Sequence, residues 1–144
     1  MPSETIVIAS DHRAVELKSI LAKELEDLGF DVLDLGTAGP ESVDYPDYAE
    51  ALAAAIHDGR ARRGVLMCGT GIGMSIAANR HRDVRAALVH DQMSARIARQ
   101  HNNANVLVLG GNETGAETAK DCLVAFLETE FEGGRHEPRV AKMS

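Results

Sequence analysis

The run Cys68-Gly69-Thr70-Gly71-Ile72-Gly73 places a thiol and a hydroxyl among closely spaced glycines, directly after the apolar stretch Gly64 to Met67. Glycines at such a junction let the backbone approach a ligand and turn its N–H groups inward, a cradle for a phosphate or a developing oxyanion. A tight strand-to-helix turn without a ligand would use the same residues. The spacing G-x-G-x-G lacks the third glycine of a dinucleotide fingerprint, although Asp91 after the next strand imitates its ribose-binding acid. So short a chain leaves no obvious substrate domain beside a dinucleotide. A P-loop is excluded, because no Lys-Ser or Lys-Thr follows the glycines. A thiol at a helix N-terminus can act as a base or a nucleophile, so Cys68, two positions from Thr70, is a candidate for either role. Its plain alternative is a small buried thiol at a strand end. Cys122 lies on an apolar helical stripe and reads as core.

Other candidates are scattered. Asp11-His12 ends an apolar run, where an acid and an imidazole can address one ligand; Asp11 could equally cap the next helix. His101 falls at a predicted helix C-terminus, which favours the imidazolium and suits a proton donor. Arg135 and Arg139 stand four apart in the segment Gly133-Gly134-Arg135-His136-Glu137-Pro138-Arg139, and Pro138 is placed to open a short helix. Guanidinium forks match phosphate oxygens; a solvated tail is the alternative. His57, His81 and His90 read as solvated or packing residues. No histidine pairs with Cys or a carboxylate at a usual ligand spacing, so no metal is expected.

The elements that must position these residues alternate regularly. Apolar runs at Thr5–Ala9, Phe30–Leu35, Gly64–Met67, Arg85–Val89 and Ala104–Leu109 predict five strands. Between them, Leu17, Ile20, Leu21, Leu25 and Leu28 share one helical face, and Tyr48, Leu52 and Ile56 mark a second helix after Pro46. Further helices are predicted from about Met74 to Asn79, from Asp91 to about His101, and along Ala119, Cys122, Leu123, Phe126 and Leu127. Continuously apolar strands alternating with helices imply a parallel sheet covered on both faces. The expectation is a single α/β, doubly wound, Rossmann-like domain of order 2-1-3-4-5, spanning 1–144. Its switch point between strands 1 and 3 would bring Asp11-His12 and the glycine loop to one crevice.

The totals narrow the function. With 144 residues, 44% hydrophobic and 26% charged, the chain can bury a core of its own; aromatics at 3% leave packing to Val, Ile, Leu and Ala. A net charge of -7 argues against nucleic acid or an anionic membrane as partner, but not against a small anion held by a few arginines. Met1 to Thr5 has no signal-peptide character, and no run is long enough to span a membrane. Two cysteines form no disulfide framework, and a cytoplasmic setting is expected.

Five stretches together are specific: Ala9-Ser10-Asp11-His12, Asp44-Tyr45-Pro46, the Cys68–Gly73 loop with Ser75-Ile76-Ala77-Ala78-Asn79, Arg99-Gln100-His101-Asn102-Asn103, and Gly133-Gly134-Arg135-His136. On these the chain resembles, nearly end to end, the type-B ribose-5-phosphate isomerases and related galactose-6-phosphate isomerase subunits. The resemblance implies aldose–ketose isomerisation through an enediolate, with no cofactor and no metal. It makes Cys68 the base, with Thr70 and the N–H groups of Gly69, Gly71 and Gly73 holding the enediolate oxygen. His101, helped by Asp11, would open the sugar ring; His12, Arg135 and Arg139 would hold phosphate; Tyr45 and Asn102 would touch the sugar. It further implies a homodimer, or a tetramer of paired dimers, with active sites shared between subunits and the tail from about 132 contacting the neighbour. Met74 stands where some relatives carry a glutamate base, leaving Cys68 as the candidate. Asn112 replaces an arginine found in many members, and Arg13 stands where most have a small or apolar residue, so Arg13 is expected to replace part of the missing charge. The substrate implied is ribose 5-phosphate. An isomerase of another aldose phosphate, such as allose or galactose 6-phosphate or a four-carbon sugar, and a non-catalytic sugar-phosphate or nucleotide binding module, are the alternatives.

Overall fold

The structure is a computed structural model and describes residues 3–144; Met1 and Pro2, part of the stretch read for signal-peptide character, lie outside the described residues. Five parallel strands form one sheet: β1 (Thr5–Ser10), β2 (Asp31–Asp34), β3 (Arg63–Cys68), β4 (Ala86–Leu88) and β5 (Val106–Gly110). The helices are α1 (Val15–Asp27), α2 (Tyr45–His57), α3 (Ile72–Ala78), α4 (Gln92–Asn102), α5 (Ala116–Glu128) and α6 (Glu137–Met143), the last preceded by a 3₁₀ turn at Gly134–His136. The α/β class and the parallel, doubly covered sheet are as the sequence predicts.

Alternation along the strands divides the interior in two. Ile6, Ile8, Val65, Met67, Leu107 and Leu109 face α1, α4 and α5, where Leu21, Leu25, Leu123 and Phe126 are fully buried. Val7, Ala9, Leu66, Cys68, Val106 and Val108 face α2 and α3, against Leu52 and Met74. Each strand residue is thus buried by one layer of helices or the other, which is why the runs are apolar without a period of two.

The strand order is β2-β1-β3-β5-β4, not 2-1-3-4-5. The expected order is overturned at its last two positions, and the reason lies in what each strand can bury. Val106 to Leu109 are all fully buried, which requires a neighbour on each side as well as helices above and below. Ala86-Ala87-Leu88 is shorter and only half-buried, and suits an edge. The outer edge of β4 is closed by Asn79, whose amide donates to the Ala86 carbonyl at 2.9 Å and accepts from the Ala86 N–H at 2.7 Å. A side chain there takes the pairing that another strand would otherwise seek.

Other boundaries differ by a residue or two. α2 begins at Tyr45 with Pro46 in its first turn, where proline's missing N–H is no loss. α3 begins at Ile72, inside the glycine loop, with Gly71 as a left-handed cap at φ 82°. The tail is no solvated appendage: His136 and Val140 are buried, and α6 starts beside Pro138 as its position suggests.

At the amino ends of the strands, arginines tie the chain together. Arg63 grips both carboxylate oxygens of Glu4 at 2.6 and 2.8 Å and donates to the Leu127 carbonyl. The hydrogen bond from Arg63 holds the Glu4 carboxyl below its ordinary pKa. Arg99 donates to the carbonyls of Thr129 and Ala104 and to the Asn103 amide oxygen. These residues line a cavity of about 760 Å³ that holds none of the predicted site residues.

Gly64 tests how closely α2 approaches the sheet. A Cβ there would lie 2.9 Å from Val7 Cγ1 and 3.0 Å from Leu52 Cδ1, so Gly64→Ala must push β1 or α2 away. We predict a loss of about 1–3 kcal/mol in urea unfolding, the usual penalty for overpacking a filled core.

Candidate active site

Three strand ends build the first group of residues. β1 and β3 are neighbours, and beyond their last pair the Asp11 N–H donates to the Met67 carbonyl at 3.2 Å. Asp11-His12 and the glycine loop therefore stand side by side, as the neighbouring of strands 1 and 3 implies. On the other side of β3 stands β5. The N–H groups of Gly111 and Asn112 donate to the carbonyls of Cys68 and Gly69 at 2.8 and 2.9 Å, extending the strand pairing into the turns. Gly110 makes this approach feasible, since a Cβ there would meet the Thr70 backbone at 2.6 Å.

Within the loop, the Gly71 N–H donates to Cys68 Sγ at 3.2 Å. Gly71 itself is left-handed at φ 82°, and a side chain there would strike Leu88, so the position requires glycine. Thr70 Oγ1 accepts from the Ile72 N–H at 3.2 Å, so its own hydroxyl proton is left for a ligand. Cys68 is buried at the end of β3 while Thr70 is exposed. Cys122 contrasts with it: burial, with Asp91 and Asp121 adding to it, pushes that thiol up to about 11, and it serves as core.

Around the loop the neighbours are close. The ring of Tyr45 lies over Gly73, where a Cβ would come within 2.5–2.6 Å of its ring atoms and hydroxyl. Gly69 is flanked by Arg13 and Asn112 together: a Cβ on it would be 3.1 Å from Arg13 Cδ and 3.2 Å from Asn112 Nδ2. The two departures from the family pattern thus meet at one glycine. Asp11 is 4% exposed and its Oδ1 accepts the Arg13 N–H. His12 Nδ1 accepts the Val43 N–H at 3.1 Å, which assigns the ring proton to Nε2 and makes that atom a donor. The contribution of the Val43 backbone had no signal in the sequence, since any residue can supply an N–H.

The second group lies elsewhere. α4 follows β4 and runs back across the sheet, so its last turn reaches the amino ends of the strands. There the Asn103 carbonyl accepts from Arg85 at the start of β4. α4 has 11 residues, a length of about 16 Å, and it carries His101 and Asn102 in its last turn, away from the end that follows β4. The tail joins this second group. The Glu132 N–H donates to the Gln100 carbonyl at 3.0 Å, and His136 stacks on His101 with ring centroids 4.4 Å apart. Burial, with His101 and Arg135 adding to it, lowers the pKa of His136. Arg135 and Arg139 are exposed on this segment without a protein partner among the described residues. Glu132 and His136 are not among the residues that the sequence singles out, since their approach to His101 depends on how the tail packs against α4.

The structure therefore brings together Asp11, His12, Arg13, Tyr45, Cys68, Gly69, Thr70, Gly71, Gly73 and Asn112. It separately brings together His101, Asn102, Arg135 and Arg139. Within one chain it does not join the two groups. No helix among the described residues is long and apolar enough to cross a membrane.

Comparison with known proteins gives a consistent picture. The family model described as Ribose/Galactose Isomerase matches residues 6–143. A ribose 5-phosphate isomerase of Thermotoga maritima, known from its crystal structure, superposes with a TM-score of 0.95 at 53% identity, covering 97% of each chain. Ribose-5-phosphate isomerase B of Escherichia coli is 42% identical over 135 residues, 94% of this chain and 91% of that protein. The D-erythrulose-4-phosphate isomerase of Pectobacterium atrosepticum is 45% identical over 140 residues, 96% of this chain and 92% of that one. With the family model spanning residues 6–143 and relatives matching over nearly the whole length in sequence and in fold, the chain belongs to the ribose/galactose isomerase family and is a sugar-phosphate isomerase.

Proposed function

We propose that the protein interconverts D-ribose 5-phosphate and D-ribulose 5-phosphate, in the cytoplasm, as a homodimer with shared active sites. The observation that carries this reading is the Cys68 sulfur, held by the Gly71 N–H beside the free Thr70 hydroxyl and the Asp11-His12 pair. In the aldose-to-ketose direction the Cys68 thiolate takes the proton from C2, the C2–H electrons form the enediolate double bond, and negative charge develops on the former carbonyl oxygen at C1. Thr70 Oγ1–H and the loop N–H groups are donors for that charge. A proton then passes from O2 to O1, which moves the negative charge to O2, and return of the first proton from Cys68 to C1 as the C2 carbonyl forms completes the ketose. His12 Nε2–H meets the phosphate, and Arg13 stands near enough to Gly69 to add a cation where Asn112 has none.

The two-group geometry supports the shared site. Exposed Ile72 and Ile76 on α3, with Met93 and Ile97 on α4, form apolar rows on the two sides of the β4 edge. A two-fold pairing of this edge sets the amino ends of one sheet against the carboxyl ends of the other. His101, Asn102, Arg135 and Arg139 of one subunit then face Cys68 and Asp11 of its partner, and the open cluster gains the cover that enediolate chemistry requires.

A four-carbon aldose phosphate is the second reading. Asn112 and Arg13 at Gly69 keep another aldose phosphate open, and 45% identity to the Pectobacterium erythrulose-phosphate enzyme supports the four-carbon case.

An assay against phosphorylated aldoses of four to six carbons tests the substrate. Ribose 5-phosphate should give the highest kcat/KM, and a higher value for a four- or six-carbon sugar would displace it. Cys68→Ala should lower kcat by at least about a hundredfold while KM stays within a few-fold, as loss of a general base does; near-normal turnover would exclude Cys68. Arg13→Ala should raise KM severalfold with little change in kcat, and an unchanged KM would remove Arg13 from the phosphate site. Mixing subunits tests the sharing. Cys68→Ala and His101→Asn dimers, dissociated and reassociated together, should recover roughly a quarter of wild-type activity, because half the dimers then hold one intact site. No recovery would place both residues of each site in one chain.

A further inference from the structure

The group at the amino ends contains a feature that isomerisation does not explain. His101, Glu132 and His136 offer ring nitrogens and a carboxylate oxygen all within 4.8 Å of one another. His136 is 6% exposed, and its Nε2 is buried without a hydrogen-bond partner. That atom stands 3.6 Å from Glu132 Oε1. Two ligands on a tetrahedral zinc at bond lengths of about 2.0–2.1 Å are about 3.3 Å apart, so the His136–Glu132 pair needs to close by only a few tenths of an ångström. The His101 ring lies against His136 with an interplanar angle of 15° and must tilt to aim its nitrogen at the same point. Both ligand-bearing segments are held in place meanwhile. The Glu132 N–H is bonded to Gln100 in the last turn of α4, and the His136 N–H closes the 3₁₀ turn onto Gly133.

We infer that His101, Glu132 and His136 form a binding site for a divalent transition metal of the zinc type, and that its occupancy inhibits the enzyme. Two imidazoles and one carboxylate are a donor set zinc favours, with a fourth position left to water. Neutral nitrogen and carboxylate ligands disfavour calcium and magnesium, which prefer all-oxygen shells. The inhibitory part rests on the reading of His101 as the ring-opening group: an imidazole whose nitrogen is bonded to a metal cannot give a proton to the sugar. The metal is thus an antagonist of the site and no part of its chemistry. Linear spacing does not reveal this set, because Glu132 and His136 close around a 3₁₀ turn and meet a residue from another element.

The test is calorimetric titration of the dimeric protein with zinc chloride, alongside the same titration of Glu132→Gln and Cys68→Ser. Glu132 is half exposed and its replacement should leave folding and basal turnover intact. One zinc per chain should bind the wild type. Glu132→Gln should weaken it by about tenfold or more, as loss of a ligand does, and turnover of that variant should resist zinc at concentrations that silence the wild type. Cys68→Ser should bind zinc within about threefold of wild type, since the thiol is not a ligand. Absence of binding, equal affinity in Glu132→Gln, or loss of binding in Cys68→Ser would each overturn the site. Glu132-dependent binding without turnover of any phosphosugar would instead sustain the site and defeat the functional reading.

Discussion

The pairing of β3 with β5 is the constraint on which the rest of the site depends. Cys68 and Gly69 hand their carbonyls to Gly111 and Asn112, so the glycine loop is held by the same ladder that holds the strands. This requires β5 rather than β4 beside β3. In the chain-order arrangement, Gly110 would not lie under Thr70, and Asn112 would not reach Gly69. The cradle is then a product of strand order as much as of glycine content. Glycines permit the turn, but the neighbouring strand decides what the turn faces.

A parallel sheet has a further consequence. Every helix returns the chain to the amino ends, so residues at strand ends and residues at helix C-termini are kept at opposite poles of the same subunit. His101, Asn102, Arg135 and Arg139 belong to one pole and Asp11, His12, Cys68 and Thr70 to the other. An isomerase needing both an acid for ring opening and a base for enolisation can hold them in one chain only by bending the fold, or in two chains by a two-fold axis. The apolar rows on α3 and α4, left uncovered beside the short β4, favour the second solution. Closing the outer edge of β4 with Asn79 is consistent with this, because contact through side chains leaves the subunits separate sheets.

The arginines at the amino ends show how an acidic protein uses its few cations. Arg63, Arg85 and Arg99 donate to backbone carbonyls, and Arg63 also to Glu4, fastening the end of α5 and the start of the tail. Through Thr129 and Gln100 this fastening reaches Glu132 and His136, and so sets the ring that stacks on His101. Arg13, Arg135 and Arg139, by contrast, are exposed, where a phosphate can meet them.

Much of this protein was legible in its residues. Apolar runs and helical stripes carry their burial in their own periodicity, so the α/β class, the five strands and the role of Cys122 as core follow from local pattern. The chemistry of Cys68-Gly69-Thr70-Gly71 is likewise local, because thiol, hydroxyl and turn lie within a few bonds of one another. Strand order was not legible: the hydrophobicity of Val106–Leu109 announces deep burial without naming the neighbour that provides it. Nor were the contacts made through backbone atoms, such as Val43 to His12, or through convergence of distant segments, such as Arg13 with Asn112 and His101 with His136. Those contacts are set by how the layers pack, and packing depends on all the elements at once. The sequence determined which candidate groups for proton transfer and phosphate binding the chain carries; only the tertiary structure decided that they gather as two separate groups, because a parallel sheet with returning helices holds its strand ends and its helix ends apart.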